Sequence, residues 1–284
     1  MEPRAFSASP VGLNFLVIGY GWLAGDVIFD PTLPISDVQA TAQGPMVGIG
    51  RTFNLFGDLG LVTATVPYSR AHVTGKVFEQ SAEANRSGLA DARFRLSANL
   101  KGNRAMSPSD FAAAPPRTIV GASITVLAPV GQYDETKLIN LGTHRWAFKP
   151  EAGVSVPRGR WHFDGYAGVW LATENRRFFP GDSTRAQDPV VTIQGHVSYE
   201  FQPRLWVAVD GTSYHGGKTR VDEDAASPAL NNSRAGVVAA FPTGDCCQVK
   251  IAYSSGVTAR IGGNFKTVSA AWQISWLSGR GDRR

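Results

Sequence analysis

The chain has 284 residues, 43% of them hydrophobic, with 28 Lys and Arg against 23 Asp and Glu. This excludes a disordered chain and a helical membrane protein, though a soluble enzyme would share the bulk composition. The net charge of +5 comes from scattered basic residues without an RNA- or DNA-binding signature, so no nucleic-acid partner is expected.

Ala5 to Gly25 is uncharged and long enough for a membrane helix, but Pro10, Asn14 and several glycines argue against one. It is also a poor secretory signal, because Glu2 offsets Arg4 and no small-residue cleavage pattern follows. Met1 therefore reads as an added start on a signal-stripped chain. From there on, apolar residues alternate with small or polar ones, the period of a β-strand. The 31 Gly and 17 Pro agree with many strands and turns.

Alternation predicts strands near 11–24, 38–52, 58–73, 87–101, 117–129, 144–156, 160–174, 188–201, 204–216, 232–242, 247–256 and 263–276. In the clearest of them, Val191, Ile193, Val197, Tyr199 and Phe201 oppose Thr192, Gln194, His196, Ser198 and Glu200. A soluble sandwich would show the same alternation in any one strand. The connections separate the two cases: those near 53–57, 157–159, 202–203 and 243–246 are short, while those near 25–37, 74–86, 130–143, 175–187 and 217–231 are long. Short turns at one end and long loops at the other are the habit of transmembrane barrels. The expected fold is therefore all-β: an antiparallel up-and-down transmembrane barrel of about twelve strands, spanning 1–276, with a short basic tail over 277–284.

One connection on the short-turn side, 101–117, predicts a short periplasmic helix near 107–114. Ser107 can cap it, Pro108 suits its first position, Asp110 completes a capping-box-like spacing, and Pro115 stops it. Trp161, Phe201, Phe241 and Trp276 lie at strand ends on the same side, as an interfacial aromatic girdle would. In the loop over 130–143, Asp134, Lys137 and Asn140 are available for internal contacts, and that loop is expected to be extracellular and ordered.

The strand parity that faces away from lipid carries the charges. The candidate lumen-lining residues are Asp91, Arg93, Arg95, Lys149, Glu151, His162, Asp164, Tyr166, Trp170, Gln194, His196, Glu200, Trp206, Asp210, Arg234 and Lys250. Charges within a membrane wall are expensive unless they line water or pair with one another. Cross-lumen ion pairs that brace the barrel are thus the alternative to a solute pathway. The signs balance, which does not support strong ion selectivity, and Tyr166, Trp170 and Trp206 offer rings for stacking.

The segment APVGQYDETKLINLGTHRWAFKPE, Ala128 to Glu151, resembles the MetA-pathway of phenol degradation family. So do VGLNFLVIGYGW from Val11, SGLADARFRLSANL from Ser87, YAGVWLATEN from Tyr166 and SSGVTARIGGNF from Ser254. The resemblance implies a barrel in the outer membrane of a Gram-negative bacterium, taking part in passage of small, including aromatic, compounds. Its partners would be outer-membrane lipid and lipopolysaccharide, a small-molecule solute and the outer-membrane assembly machinery, with both termini periplasmic. The end departs from the usual pattern, because Trp276 is followed by LSGRGDRR instead of closing the chain on an aromatic residue.

Catalytic and cofactor signatures are missing from the sequence. There is no G-x-S-x-G, P-loop or dinucleotide fingerprint, and no metal-ligand spacing; Asp222, Glu223 and Asp224 lack a calcium-loop pattern. Adjacent Cys246 and Cys247 close no loop. His162 and His196 fall on the luminal parity, the wrong side for a phospholipase. No cofactor is expected, and the reading is a channel or transporter that is not an enzyme. A barrel without an open pore, and an outer-membrane hydrolase, are the alternatives.

Overall fold

The computed structural model describes residues 2–28, 35–77, 80–224 and 226–278. In chain order its elements are β1 (Leu13–Ile28), β2 (Ile35–Leu55), β3 (Asp58–Val77), β4 (Gln80–Leu89), β5 (Ala92–Arg104), α1 (Pro108–Ala113), β6 (Ile119–Ala128), β7 (Ala147–Arg158), β8 (Trp161–Ala172), β9 (Asn175–Phe178), β10 (Ser183–Gln187), β11 (Val190–Gln202), β12 (Leu205–Gly216), β13 (Thr219–Val221), β14 (Leu230–Pro242), β15 (Cys247–Thr258) and β16 (Gly262–Leu277). All strand pairings are antiparallel, and β1 pairs with both β2 and β16, so the wall closes on itself. Because β4 and β5 lie in line along β3, the wall has the twelve strands that the alternation indicates.

Closure follows from the solvent. Lipid offers no hydrogen-bond partner, so an edge strand in the bilayer would leave its amides and carbonyls unsatisfied. Sixteen consecutive pairs between β1 and β16, from Leu13 opposite Leu277 to Ile28 opposite Gly262, remove that edge. The two faces then separate chemically. Ile18, Val47, Val62, Phe94, Ile193 and Val209 point outward and are exposed, while Ser97, Glu151, Asp164, Thr192 and His196 point inward and are buried. Exposed Trp161, Phe201, Phe241 and Trp276 lie near the short turns, and Tyr20, Trp22, Tyr68 and Tyr253 form a second exposed aromatic set.

The helix begins as read from sequence: the Ser107 hydroxyl oxygen accepts from Asp110 N at 3.2 Å, and Pro108 stands in the first turn. The loop over 130–143 is ordered by its own side chains. Asn140 Oδ1 accepts from Asp134 N at 2.8 Å, and Asn140 Nδ2 donates to the carbonyls of Asp134 and Lys137. Lys137 Nζ meets Asp134 Oδ2 at 2.9 Å.

Three expectations change. The connection expected at 74–86 is largely strand, because β3 runs to Val77 and β4 starts at Gln80. Polar residues on both faces there hide the period from a hydrophobicity reading. The long connections 175–187 and 217–231 carry β9, β10 and β13, which form a three-stranded sheet of their own. The first strand begins at Leu13, not at 11, and residues 2–10 lie inside the barrel. Residues 29–34 of the expected loop 25–37, and residues 279–284 of the basic tail, fall outside the described residues.

Two outcomes test the orientation of the wall. Ile193, 54% exposed, faces lipid, which has no fixed shape, so Ile193→Phe should leave stability within about 0.5 kcal/mol, whereas Ile193→Arg should cost about 2–4 kcal/mol. Urea unfolding of the detergent-folded protein, followed by its heat-modifiable gel shift, reads both. A second test concerns the loop. The Asp134 carboxyl is lowered to about 2, first by the hydrogen bond from Thr136 and then by that from Lys137. A carboxylate with a depressed folded-state value stabilises above its unfolded value of about 4, and that contribution disappears as pH falls through 2. Hydrogen exchange within 134–140 should accordingly rise between pH 4 and pH 2; unchanged protection would refute the assignment.

Candidate functional site

The barrel interior is divided by charge. The inward parity of β1, β2, β3 and β16 consists of residues such as Val17, Gly19, Gly48, Thr65 and Ser269, and among the described residues it includes no charged side chain. The inward parity of β5, β7, β8, β11 and β12 bears Arg93, Arg95, Lys149, Glu151, Asp164, Glu200 and Asp210.

Against this charged arc runs the N-terminal segment, residues 2–10, which sequence reading left unassigned. It enters at the short-turn end, where Val11 N donates to Met106 O and the Thr52 hydroxyl to Pro10 O at 2.7 Å. It then climbs past Asn103, which donates to Ser9 O, and Asn99, which donates to Ser7 O. Arg4 is its main anchor. Its Nη1 meets Glu200 Oε2 at 2.6 Å, its Nε donates to Ser198 Oγ at 3.1 Å, its backbone N–H donates to Asp164 Oδ2 at 3.2 Å, and its guanidinium lies 4.9 Å from the Trp206 ring centroid. Ala5 N donates to the Tyr166 hydroxyl at 3.0 Å.

Phe6 is 1% exposed and is the largest fully buried side chain among the described residues. Its ring stands edge-on to Tyr166 with centroids 5.4 Å apart, and the Arg95 guanidinium lies 5.2 Å from it. The slot exists because Gly121 and Gly153 have no side chain. A Cβ at these positions would come within 2.2 Å and 2.8 Å of the Phe6 ring. Glycine inside a strand marks such close approach.

Around the segment's tip, Arg93, Arg95, Lys149, Glu151, Tyr166, Trp170 and Gln194 share one cavity with Thr125, Thr192, Thr212 and Tyr214 and with Glu2 and Ala5 of the segment itself. Glu151 collects Lys149, Arg95 Nη2 at 3.5 Å and Gln194 Nε2 at 2.9 Å. His162, Asp164, Glu200, Trp206 and Lys250 sit lower. His162 Nε2 is 3.7 Å from Glu200, Asp164 accepts from Ser155, and Lys250 lies 5.9 Å from the Trp206 centroid. Trp206 also packs with Ala208, Val238 and Ala240 in an apolar patch on the inner wall.

The remaining candidates stand elsewhere. His196 and Asp210 form a fully buried pair at 2.5 Å within the wall. Arg234 is held by Ser254, Phe265 O and Thr267 on the neighbouring strands. Asp91 falls where the strand breaks between β4 and β5, so its parity does not carry through. Its carboxylate accepts from Gly131 N, Thr143 N and the Thr143 hydroxyl, and anchors the loop instead of lining the lumen.

A closed wall of twelve antiparallel strands, apolar outside and polar within, defines a transmembrane β-barrel of the outer-membrane kind. Over residues 23–268 the chain matches the family described as "Putative MetA-pathway of phenol degradation", and it belongs to that family. Its fold is similar to the COG4313 outer membrane channel from Pseudomonas putida F1, with TM-score 0.83 and 19% identity over 97% of this chain and 100% of that one. Lower similarity is found to the beta domain of the Bordetella autotransporter BrkA, with TM-score 0.55 and 10% identity over 93% of this chain and 100% of that one. The TodX monoaromatic hydrocarbon channel deltaS2 mutant gives TM-score 0.51 and 10% identity over 98% of this chain and 93% of that one. Among curated proteins no sequence match is found.

Dislodging Phe6 should release the segment. Trypsin should cut slowly after Arg4 in the folded protein, whose Arg4 side chain is 14% exposed, and much faster in Phe6→Ala or Gly121→Ala. Equal cleavage rates, read by mass spectrometry, would show that the slot does not hold the segment.

Proposed function

We propose that the chain is an outer-membrane channel for small solutes, whose short turns and C-terminal end face the periplasm; the expected periplasmic N-terminus does not hold for residues 2–10, which turn into the lumen and fill it in the resting form. The supporting observation is the polar cavity beside the segment's tip, enclosed by a wall whose outer face suits lipid. Arg93, Arg95, Lys149, Glu151, Trp170 and Gln194 would border the solute's path, and the uncharged arc of β1, β2, β3 and β16 would form its other side. The similar protein from Pseudomonas putida F1 is an outer membrane channel and TodX a monoaromatic hydrocarbon channel, which supports the reading at the level of fold. Lipid and lipopolysaccharide would meet the exposed aromatic rows, and the assembly machinery would read the last strand. A hydrolase built on His196 is disfavoured, because its side chain has no exposure through which substrate could reach it.

The segment itself favours a second reading, a barrel without an open pore. Deleting residues 2–9 separates the two. In planar bilayers the deleted form should show a larger single-channel conductance than the full chain. If neither form conducts, the channel reading falls and the closed barrel stands. For topology, protease added to intact cells should cut within 130–143 or 217–231. Cleavage only after outer-membrane rupture would reverse the orientation.

A further inference from the structure

The tip of the N-terminal segment brings a carboxylate into a cluster of cations. Glu2 Oε2 lies 3.3 Å from Arg95 Nη1, and Glu2 Oε1 lies 4.0 Å from Arg93 Nη1. The wall's own acid at this level, Glu151, is already engaged by Lys149, Arg95 and Gln194. Three cations thus face one wall carboxylate, and Glu2 supplies the second. Arg93 has no other hydrogen bond or ion pair among the described residues, and Arg95 Nε is buried without a partner. The Glu2 side chain is 61% exposed and pairs with these two cations, so another carboxylate can take its place.

The surroundings select what accompanies that carboxylate. The cavity encloses about 130 Å³. That is the order of the roughly 150 Å³ that accommodates benzene in an engineered protein cavity. Trp170, with Lys149 Nζ 5.7 Å from its ring centroid, and Tyr214 line it, while Thr125, Thr192 and Thr212 complete it with uncharged walls. Aromatic side chains beside paired guanidinium groups suit a flat ring carrying an anionic group.

We propose that this cavity binds small aromatic carboxylates, with the carboxylate between Arg93 and Arg95 and the ring against Trp170 and Tyr214, and that Glu2 occupies the same cations until the solute displaces it. This rests on the channel reading for how the solute arrives, but binding itself needs no conduction.

The test is titration calorimetry of detergent-folded protein with benzoate, and with benzyl alcohol as its neutral counterpart. Benzoate should bind and benzyl alcohol should not. Glu2→Gln removes the competitor and should tighten benzoate by about tenfold, and Arg93→Gln should weaken it by about as much, the usual range for a charge-assisted contact. Both side chains are more than half exposed, so neither change opens a hole in the wall, and the heat-modifiable gel shift checks that each variant is folded. Equal binding of the two probes, no benzoate binding to Glu2→Gln, or an affinity that Glu2→Gln leaves unchanged would overturn the proposal. Conduction without benzoate binding defeats this site alone; benzoate binding without conduction defeats the channel reading alone.

Discussion

Hydrogen-bond closure between β1 and β16 is the constraint on which the rest of the molecule depends. Lipid cannot satisfy a backbone amide, so the first and last strands must find each other across the whole chain. Once they do, the strand period of two leaves each side chain only two environments. Apolar residues take the lipid side at little cost because hydrocarbon has no fixed shape. Charged ones are driven to the interior, where they must find water or one another. The charged arc of the lumen is a result of closure as much as of any solute.

That arc is then used twice. Within the wall, Glu151 gathers Lys149, Arg95 and Gln194, and His196 pairs with Asp210, so much of the charge braces neighbouring strands. The same arc also holds the chain's own start: Asp164 and Glu200 take Arg4, and Arg93 takes Glu2 together with Arg95, which Glu151 shares. The absent side chains of Gly121 and Gly153 supply the depth that Phe6 needs. Among the described residues the uncharged arc of β1, β2, β3 and β16 offers no charge to such a segment, which explains why the segment lies to one side of the lumen.

Most of the wall was legible in the sequence because alternation is a local signal. Val191 to Phe201 against Thr192 to Glu200 is readable without knowing any neighbour, and the same holds for Ser107 and Pro108 at the helix start. The segment inside the lumen was not legible. Residues 2–12 show no period, and the partners of Arg4 stand 160 and 196 residues away along the chain. The nearest available signals were Gly121 and Gly153, which interrupt strands that otherwise carry side chains inward. Asp91 was misplaced by the same logic that placed Arg93 and Arg95, because parity counting assumes an unbroken strand and the wall breaks there. The small sheet of β9, β10 and β13 has strands of three to five residues, too short to display a period.

The segment's hold on the barrel is uneven along its length. At its middle, Phe6 is buried between two strands and the Arg4 ion pair has only 14% and 27% side-chain exposure, so both contacts are largely shielded from water. At its tip, Glu2 has no buried side chain of its own, with 61% exposure, and is held only by its pairs with half-exposed Arg93 and largely buried Arg95. A solute descending from the loop end meets the weakly held tip first and the strongly held middle last. Replacing the Glu2 carboxylate therefore disturbs little of the barrel, whereas passage beyond it requires Phe6 to leave its slot and Asp164 and Glu200 to give up Arg4. On the proposed channel reading, the greater burial of the middle would put recognition near the loops and the barrier to passage nearer the short turns.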